Sequence, residues 1–354
     1  MRGRGVNGVP VERTVLVTGG AGFIGSAVCR LLLADGRTRV VNLDKLTYAA
    51  SPAALASVAA APHYRFVRGD IGDRALVARL MAEERIDAVM HLAAESHVDR
   101  SLADAEQFIT TNITGTYHLL EAALDHWRRL SGEGQARFRF LHVSTDEVFG
   151  DLPYESGVFD EESRYRPSSP YAASKAAADH LVRAWGHSYG LPVVLTNCSN
   201  NYGPFQHAEK LIPLTITRAL RGESLPVYGD GENVRDWLHV EDHARALDLV
   251  LRRGTPGRSY AIGGREERRN IAVVTMICDL LDSRAPIAGL KRRELIRFVT
   301  DRSGHDRRYA IDPSRIEGEL GWRATWSFDA GLAATVEWYF AQNESAGIAA
   351  SATL

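Results

Sequence analysis

The chain is poor in sulfur and in lysine: its 354 residues include three cysteines, four methionines and four lysines, against 38 arginines. Cys29, Cys198 and Cys278 are odd in number, far apart and without metal-ligand spacing, which argues against a disulfide framework or a zinc site and reads as core thiols. His91, His97 and the other histidines show no H-x-x-x-H or similar spacing, so no metal is expected and the imidazoles read as hydrogen-bonded structural groups. No apolar run approaches the roughly 18 residues of a membrane helix, and residues 1–13 hold no apolar stretch of the signal-peptide kind. A cytoplasmic protein without a membrane partner is expected. An excess of charge is missing too: 42 basic and 44 acidic residues leave a net −2, which offers no footprint for nucleic acid and points to a small ligand.

What remains is an ordinary folded composition, 45% hydrophobic and 24% charged, long enough for one or two lobes around a large core. In the first half, β-branched runs at 14–18, 39–43, 64–67, 88–92 and 138–144 alternate with amphipathic stretches. That rhythm predicts βαβ units in an α/β fold, with a Rossmann-type doubly wound parallel sheet whose strand ends face a binding crevice. Residues 104–130 read as one long helix and residues 131–134 as a surface loop. Beyond Pro204 the elements shorten and arginine accumulates from Arg252 to Arg308, the sign of a smaller mixed α/β substrate lobe. The expected division is a dinucleotide-binding domain at 13–203, to which later segments return, and a second lobe mainly at 204–342. A last helix is expected at 328–342, with disordered termini at 1–12 and 343–354.

Residues Thr14 to Gly25 set a strand, a glycine turn and a helix start in the order a dinucleotide fold requires. Gly19, Gly20, Gly22 and Gly25 satisfy both G-x-G-x-x-G and G-x-x-G-x-x-G. The glycines permit a tight turn, a close pyrophosphate and close helix packing, while the helix N-terminus supplies unpaired N–H donors. Asp44 ends the next strand about 20 residues on, where a carboxylate hydrogen-bonds a ribose diol; its charge would repel a 2′-phosphate, so NAD is expected over NADP. Asp70 and Ile71, then Leu92, Ala93 and Ala94, end the next two strands, where an adenine edge and the remaining pyrophosphate would lie.

Ser168-Ser169-Pro170-Tyr171 reads as a helix start that puts Tyr171 and Lys175 on one face, at i and i+4. A phenol is a poor base at neutral pH unless a nearby ammonium stabilises its anion, and Lys175 is one turn away. After the strand at 138–144 come Thr145, Asp146 and Glu147. An isolated Asp-Glu is ordinarily a solvated strand end; set between a dinucleotide turn and Y-x-x-x-K it reads as an acid–base pair. Mutual repulsion raises one of the two pKa values, which suits an acid that stays protonated near neutrality, without saying which residue it is.

Thr18-Gly-Gly-Ala-Gly-Phe-Ile-Gly25, Asp44-Lys-Leu-Thr-Tyr48, Leu92-Ala-Ala-Glu-Ser-His-Val-Asp-Arg-Ser101 and Tyr171-Ala-Ala-Ser-Lys175 resemble the extended short-chain dehydrogenase/reductase family of nucleotide-sugar enzymes. Ser144-Thr-Asp-Glu-Val-Phe-Gly150 is similar to the family's dTDP-glucose 4,6-dehydratase branch, whereas its 4-epimerases and decarboxylases carry small hydroxyl residues after the Ser/Thr. Cys198-Ser-Asn-Asn-Tyr-Gly-Pro204, Glu209-Lys-Leu-Ile-Pro213, Tyr228-Gly-Asp-Gly231, Val234-Arg-Asp-Trp-Leu-His-Val-Glu-Asp242 and Gly304-His-Asp-Arg-Arg-Tyr-Ala-Ile-Asp312 extend the likeness across residues 13–340.

The resemblance implies a lyase that oxidises dTDP-glucose at C4, eliminates water across C5 and C6 and returns the hydride to C6, serving deoxysugar synthesis with NAD regenerated. Tyr171 would take the C4 hydroxyl proton, with Thr145 on the same oxygen and Lys175 beside them; Glu147 would remove the C5 proton and a protonated Asp146 would release the C6 hydroxyl as water. It implies cofactor contacts at Gly19, Gly22, Phe23, Ile24 and Gly25, at Asp44, Lys45, Leu46 and Thr47, and at Thr111 and Asn201. Nucleotide-sugar contacts would come from Ser96, Asn200, Lys210, Leu211, Tyr228, Asn270, Arg302 and His305, with Arg235 and Lys210 on the diphosphate. Pro226 and Val227 join this set, although apolar residues there equally suit packing. Departures at Ala50-Ser51 and Gln206-His207-Ala208 flank the cofactor ribose and the substrate loop. A homodimer pairing the helices at 104–130 and 171–189 is implied as well. Two other readings compete: another nucleotide-sugar enzyme (a 4-epimerase, which needs neither Asp146 nor Glu147, or a UDP-glucose 4,6-dehydratase), and a non-catalytic NAD-binding sensor, which has no use for Tyr171 and Lys175.

Overall fold

The computed structural model describes residues 11–345. The first half alternates as expected: β1 (Arg13–Thr18), α1 (Phe23–Ala34), β2 (Thr38–Asp44), β3 (Tyr64–Arg68), α2 (Arg74–Glu83), β4 (Ala88–His91), α3 (Thr116–Arg129), β5 (Arg139–Thr145), α4 (Pro170–Tyr189) and β6 (Val193–Cys198). The second half adds β7 (Asn200–Tyr202), α5 (Leu211–Leu220), β8 (Leu225–Tyr228), β9 (Val234–His239), α6 (Val240–Arg253), β10 (Ser259–Ile262), β11 (Glu267–Arg269), α7 (Asn270–Arg284), β12 (Ile296–Val299) and α8 (Phe328–Ser345).

Seven strands pair in parallel in the order β3-β2-β1-β4-β5-β6-β10. Successive strand residues point to opposite faces, and here both faces are covered. Val15 and Val17 pack toward Val28 and Leu32 of α1 and Leu247 and Val250 of α6. Leu16, between them, packs toward Leu80 of α2 and Leu119 and Leu120 of α3. The strand order reverses between β1 and β4, so the helices following these strands diverge and leave a crevice at the carboxyl edge. A second lobe forms around the sheet β11-β9-β7 and the pair β12-β8, with Ile216, Val273, Ile277 and Leu332 of α5, α7 and α8 in its core.

The chain passes between lobes more than once. β7 precedes Pro204 yet joins the second lobe, while α6 and β10 return to the large sheet. The helix expected over 104–130 is broken into Glu106–Phe108, a π-helical stretch Ile109–Gly115, and α3. Within that stretch Asn112 is held by the Glu95 backbone, accepting its N–H at 2.9 Å and donating to its carbonyl at 3.0 Å, and Thr116 Oγ donates to the Asn112 carbonyl at 2.6 Å. Thr116 Oγ thus shares a carbonyl with the helical backbone, and Asn112 fastens the stretch to the segment before it. Residues 132–137 form a short helix where a loop was expected. Val11 is buried and α8 runs on to Ser345, so disorder does not reach 11–12 or 343–345. The expectations for 1–10 and 346–354 lie outside the described residues.

The turn between β1 and α1 has no slack, since a Cβ at Gly25 would stand 2.1 Å from the Gly19 carbonyl oxygen. Gly25→Ala should therefore lower the urea midpoint at unchanged m-value, a destabilisation of about 1–3 kcal/mol. Gly134→Ala, which meets nothing within 4 Å and lies in the short helix 132–137, should not lower the midpoint.

Candidate active site

The ends of β1, β2, β4, β5 and β6 line one cleft between the lobes. At its floor Gly19, at φ +71, donates its N–H to the Leu43 carbonyl at 2.9 Å, and a Cβ there would meet the Ala93 backbone at 2.7 Å. Only glycine permits both the left-handed turn and this close approach. No side chain caps the start of α1, so the amides around Phe23 and Ile24 and the positive end of the helix dipole face the cleft. Asp44 is pinned at the cleft edge, accepting Ala21 N–H at 2.9 Å and Leu46 N–H at 2.7 Å. Lys45 donates to Thr111 Oγ at 3.0 Å and stands 3.6 Å from Asp70 and 3.7 Å from Glu95. Leu46 turns away at φ +58 and packs on the first-lobe core.

β5 delivers the ionisable groups. Thr145 Oγ accepts the Glu147 N–H at 3.3 Å and donates to Asp146 Oδ1 at 3.2 Å. Asp146 is 2% exposed and its Oδ2 has no hydrogen-bond partner. Burial, then Glu147 and Asp236, push its carboxyl well above the usual range, against Arg235. Glu147 is also raised by burial, with Lys210, Arg302 and Arg235 opposing. Asp146 is thus the member of the pair with the stronger reason to hold a proton.

Tyr171 and Lys175 enter from α4. Ser169 Oγ caps this helix by accepting Ala172 N–H, Pro170 occupies its first turn, and Gly190 ends it at φ +73. The expected effect of Lys175 on the phenol is not what the protein groups produce. Burial, then Glu147 and Cys198, hold Tyr171 well above its ordinary value, with Thr145 in hydrogen-bonding reach opposing. The i, i+4 spacing sets both side chains on one face, but the Lys175 ammonium donates to the Val143 carbonyl at 2.9 Å. Burial lowers Lys175, and Asp179 and Cys198 oppose the shift.

On the substrate side the expected residues divide. Ser96, Asn200 and Lys210 line the cleft; Lys210 donates to the Ser96 carbonyl at 3.3 Å, and Asn200 Oδ1 is buried without a partner. Arg302 faces Asp99 at 3.5 Å with its Nε unpaired, Tyr228 donates to the same Asp99 at 3.3 Å, and His305 contacts Asp301 at 2.7 Å. Asn270 Oδ1 is also buried and unpaired. Arg235 is more tied than expected, donating to the Val234, Asp306 and Arg307 carbonyls and stacking 4.4 Å above Tyr309. Val227 lies in the second-lobe core and Leu211 packs against it; neither they nor Pro226, Tyr228, Arg235, Asn270, Arg302 and His305 line this cleft. Three of the four lysines, Lys45, Lys175 and Lys210, do line it. Sequence reasoning passed over Glu95, Cys198 and Ser199, which also line it although they sit inside the motifs quoted, and Gln206 and His207, which it marked only as departures. No group of three or more acidic, histidine or cysteine side chains able to hold a metal occurs among the described residues.

The family model described as GDP-mannose 4,6 dehydratase matches residues 16–335. The chain belongs to this family. It is 55% identical to a dTDP-glucose 4,6-dehydratase of Shigella flexneri over 335 residues, 92% of each chain, and 57% identical to one of Neisseria meningitidis serogroup B over 330 residues, 92% of this chain and 93% of the other. Among solved structures it resembles the dTDP-glucose 4,6-dehydratase DesIV of Streptomyces venezuelae, crystallised with NAD and TYD, with a TM-score of 0.86 at 47% identity over 94% of this chain and 98% of that one. A UDP-glucose 4-epimerase of Thermotoga maritima with UDP-glucose superposes with a TM-score of 0.81 at 26% identity, covering 93% and 99% of the two chains. The family scaffold is shared by both chemistries, so the dehydratase reading turns on the residues at the end of β5.

A carboxyl held above its unfolded pKa binds a proton in the native state that the unfolded chain releases, so it costs stability progressively as pH rises from the unfolded value toward the folded one. For Asp146→Asn this cost disappears. The variant should be more stable than wild type at pH 8, with the difference shrinking toward pH 4 in urea titrations.

Proposed function

We propose that the chain is an NAD-dependent dTDP-glucose 4,6-dehydratase, a hydro-lyase that forms dTDP-4-keto-6-deoxyglucose and water. The observation that carries this reading is the buried Asp146 carboxyl with an unpaired oxygen, beside Glu147, Thr145 and Tyr171 in one cleft. The glycine turn, the uncapped α1 and Asp44 suit a dinucleotide with a free ribose diol, because donors face the diphosphate position and a carboxylate faces the diol. When bound, NAD supplies a hydride acceptor and a positively charged ring.

The residues divide the proton work. Tyr171 takes the C4 hydroxyl proton while Thr145 hydrogen-bonds the same oxygen. The resulting ketone acidifies C5–H, which Glu147 removes; Lys210, first among the cations opposing its rise, favours its ionised form. Asp146, desolvated and facing a second carboxylate, keeps the proton that the departing C6 hydroxyl needs. Lys210 and Arg302 are the cations best disposed toward a diphosphate, since Arg235 is largely occupied by carbonyls. A homodimer accords with the exposed Ile109 of the π-helical stretch, Tyr117 on α3 and Tyr189 on α4, where Tyr117 meets Trp185 edge-on at 5.8 Å. No helix among the described residues is long and apolar enough to cross a membrane.

Incubation with dTDP-glucose should yield the 4-keto-6-deoxy product; product epimerised at C4 would exclude the proposal. Tyr171→Phe should lose hydride transfer, and Glu147→Gln should slow C5 deuterium exchange and elimination about 10²–10⁴-fold while C4 oxidation falls less. Full turnover by either variant removes its assigned role. UDP-glucose should be used less well than dTDP-glucose, within the ~1–3 kcal/mol that one buried methyl group provides.

A further inference from the structure

Beneath the reacting groups lies a carboxylate that the mechanism above leaves unused. Asp179 stands on α4 one turn beyond Lys175 and two beyond Tyr171, fully buried. Its Oδ1 meets His142 Nε2 at 3.0 Å, and its Oδ2 accepts from Ser144 Oγ at 2.8 Å, Tyr165 OH at 2.9 Å and Asn197 Nδ2 at 3.5 Å. These partners come from β5, from β6 and from the segment before α4. Arg183, a turn further along α4, donates to Tyr165 OH at 3.2 Å and closes the shell. Ser144 immediately precedes Thr145, so the carboxylate ties the helix carrying Tyr171 directly to the strand end carrying the acid–base pair.

A buried ion costs several kcal/mol unless another charge and a full set of hydrogen bonds offset it. Lys175 is 4% exposed and its ammonium bonds the Val143 carbonyl, which carries no net charge. The groups around it are Tyr171 and Asp179 on its own helix, His91 on β4, His142 on β5 and Cys198 on β6. Burial and Lys175 itself keep His142 at about 4, so it is neutral near pH 7, and His91 is likewise held low by burial. Burial holds the Cys198 thiol protonated. Asp146 and Glu147 face Arg235 and Lys210. Asp179, one turn on along the same helix and outside direct ion-pair distance of the ammonium, is the carboxyl group left to answer Lys175.

We infer that Asp179 is a positioning residue for hydride transfer, serving both as the buried counter-charge of Lys175 and as the tie that keeps Tyr171 in register with Thr145. The inference rests on the reading of Tyr171 and Lys175 as the proton-transfer pair and adds the group that keeps Lys175 charged and Tyr171 placed. Asp179→Asn preserves shape and removes the charge, so Lys175 should lose its proton at lower pH. With dTDP-glucose as substrate, the alkaline limb of the kcat profile should move down by about one pH unit or more, with KM changed less than about twofold. Tyr165→Phe, which removes a neutral donor and keeps the charge, should leave that limb in place. An Asp179→Asn profile of wild-type shape at reduced amplitude, or a Tyr165→Phe profile displaced as far, overturns the proposal. If Asp179→Asn does not fold, thermal unfolding of Lys175→Met and of the double variant Lys175→Met/Asp179→Asn carries the test. The double variant should melt higher, because the carboxylate is no longer buried without its cation; an equal or lower Tm overturns the proposal. This melting comparison needs no substrate, so its failure is distinct from a failure of the enzyme assignment.

Discussion

Desolvation at the carboxyl edge of β5 is the constraint around which the rest of the molecule is arranged. Asp146, Glu147, Tyr171 and Lys175 converge where water is largely excluded, and for each of them burial is the largest cause of its displaced pKa. A fold tolerates such a cluster when it is rigid and surrounded by compensating groups. The seven-stranded sheet supplies the rigidity, since β5 lies between β4 and β6 and cannot shift register without moving both faces of the core. The second lobe supplies compensation: Arg235, Lys210 and Arg302 each oppose the rise of Glu147.

The same constraint accounts for the tyrosine. Burial first, then the neighbouring Glu147, holds the phenol protonated, and Lys175 directs its ammonium at a backbone carbonyl. Proton transfer to Tyr171 therefore depends on what the cleft contains as well as on its neighbours in the chain.

Much of this was legible in the residues. Alternation of β-branched runs with amphipathic stretches gives the parallel sheet, because strands buried on both faces are hydrophobic throughout while the helices covering them show a 3.6-residue period. The glycine turn and the Ser-Pro helix start were readable because they are local: φ, a cap and a spacing are properties of a few adjacent residues. The π-helical stretch at 109–115 was not readable, and within it Asn112 is tied to the backbone of Glu95, on a different segment. The same holds for Val227, apolar in any sequence and assigned to the core only by its neighbours in space.

By itself the sequence determined the fold class, the dinucleotide turn, the pairing of Tyr171 with Lys175 on one helical face and the presence of two adjacent carboxyl groups, all of which follow from short-range geometry. Only the tertiary structure decided which carboxyl group is the more strongly displaced, that Arg235 is tied to carbonyls and a tyrosine ring, and that Asp179 gathers four partners beneath the site. Those outcomes depend on burial and on charges brought together across more than a hundred residues of chain, and the free energy of an ionised group is set by that surrounding dielectric and not by its neighbours in sequence.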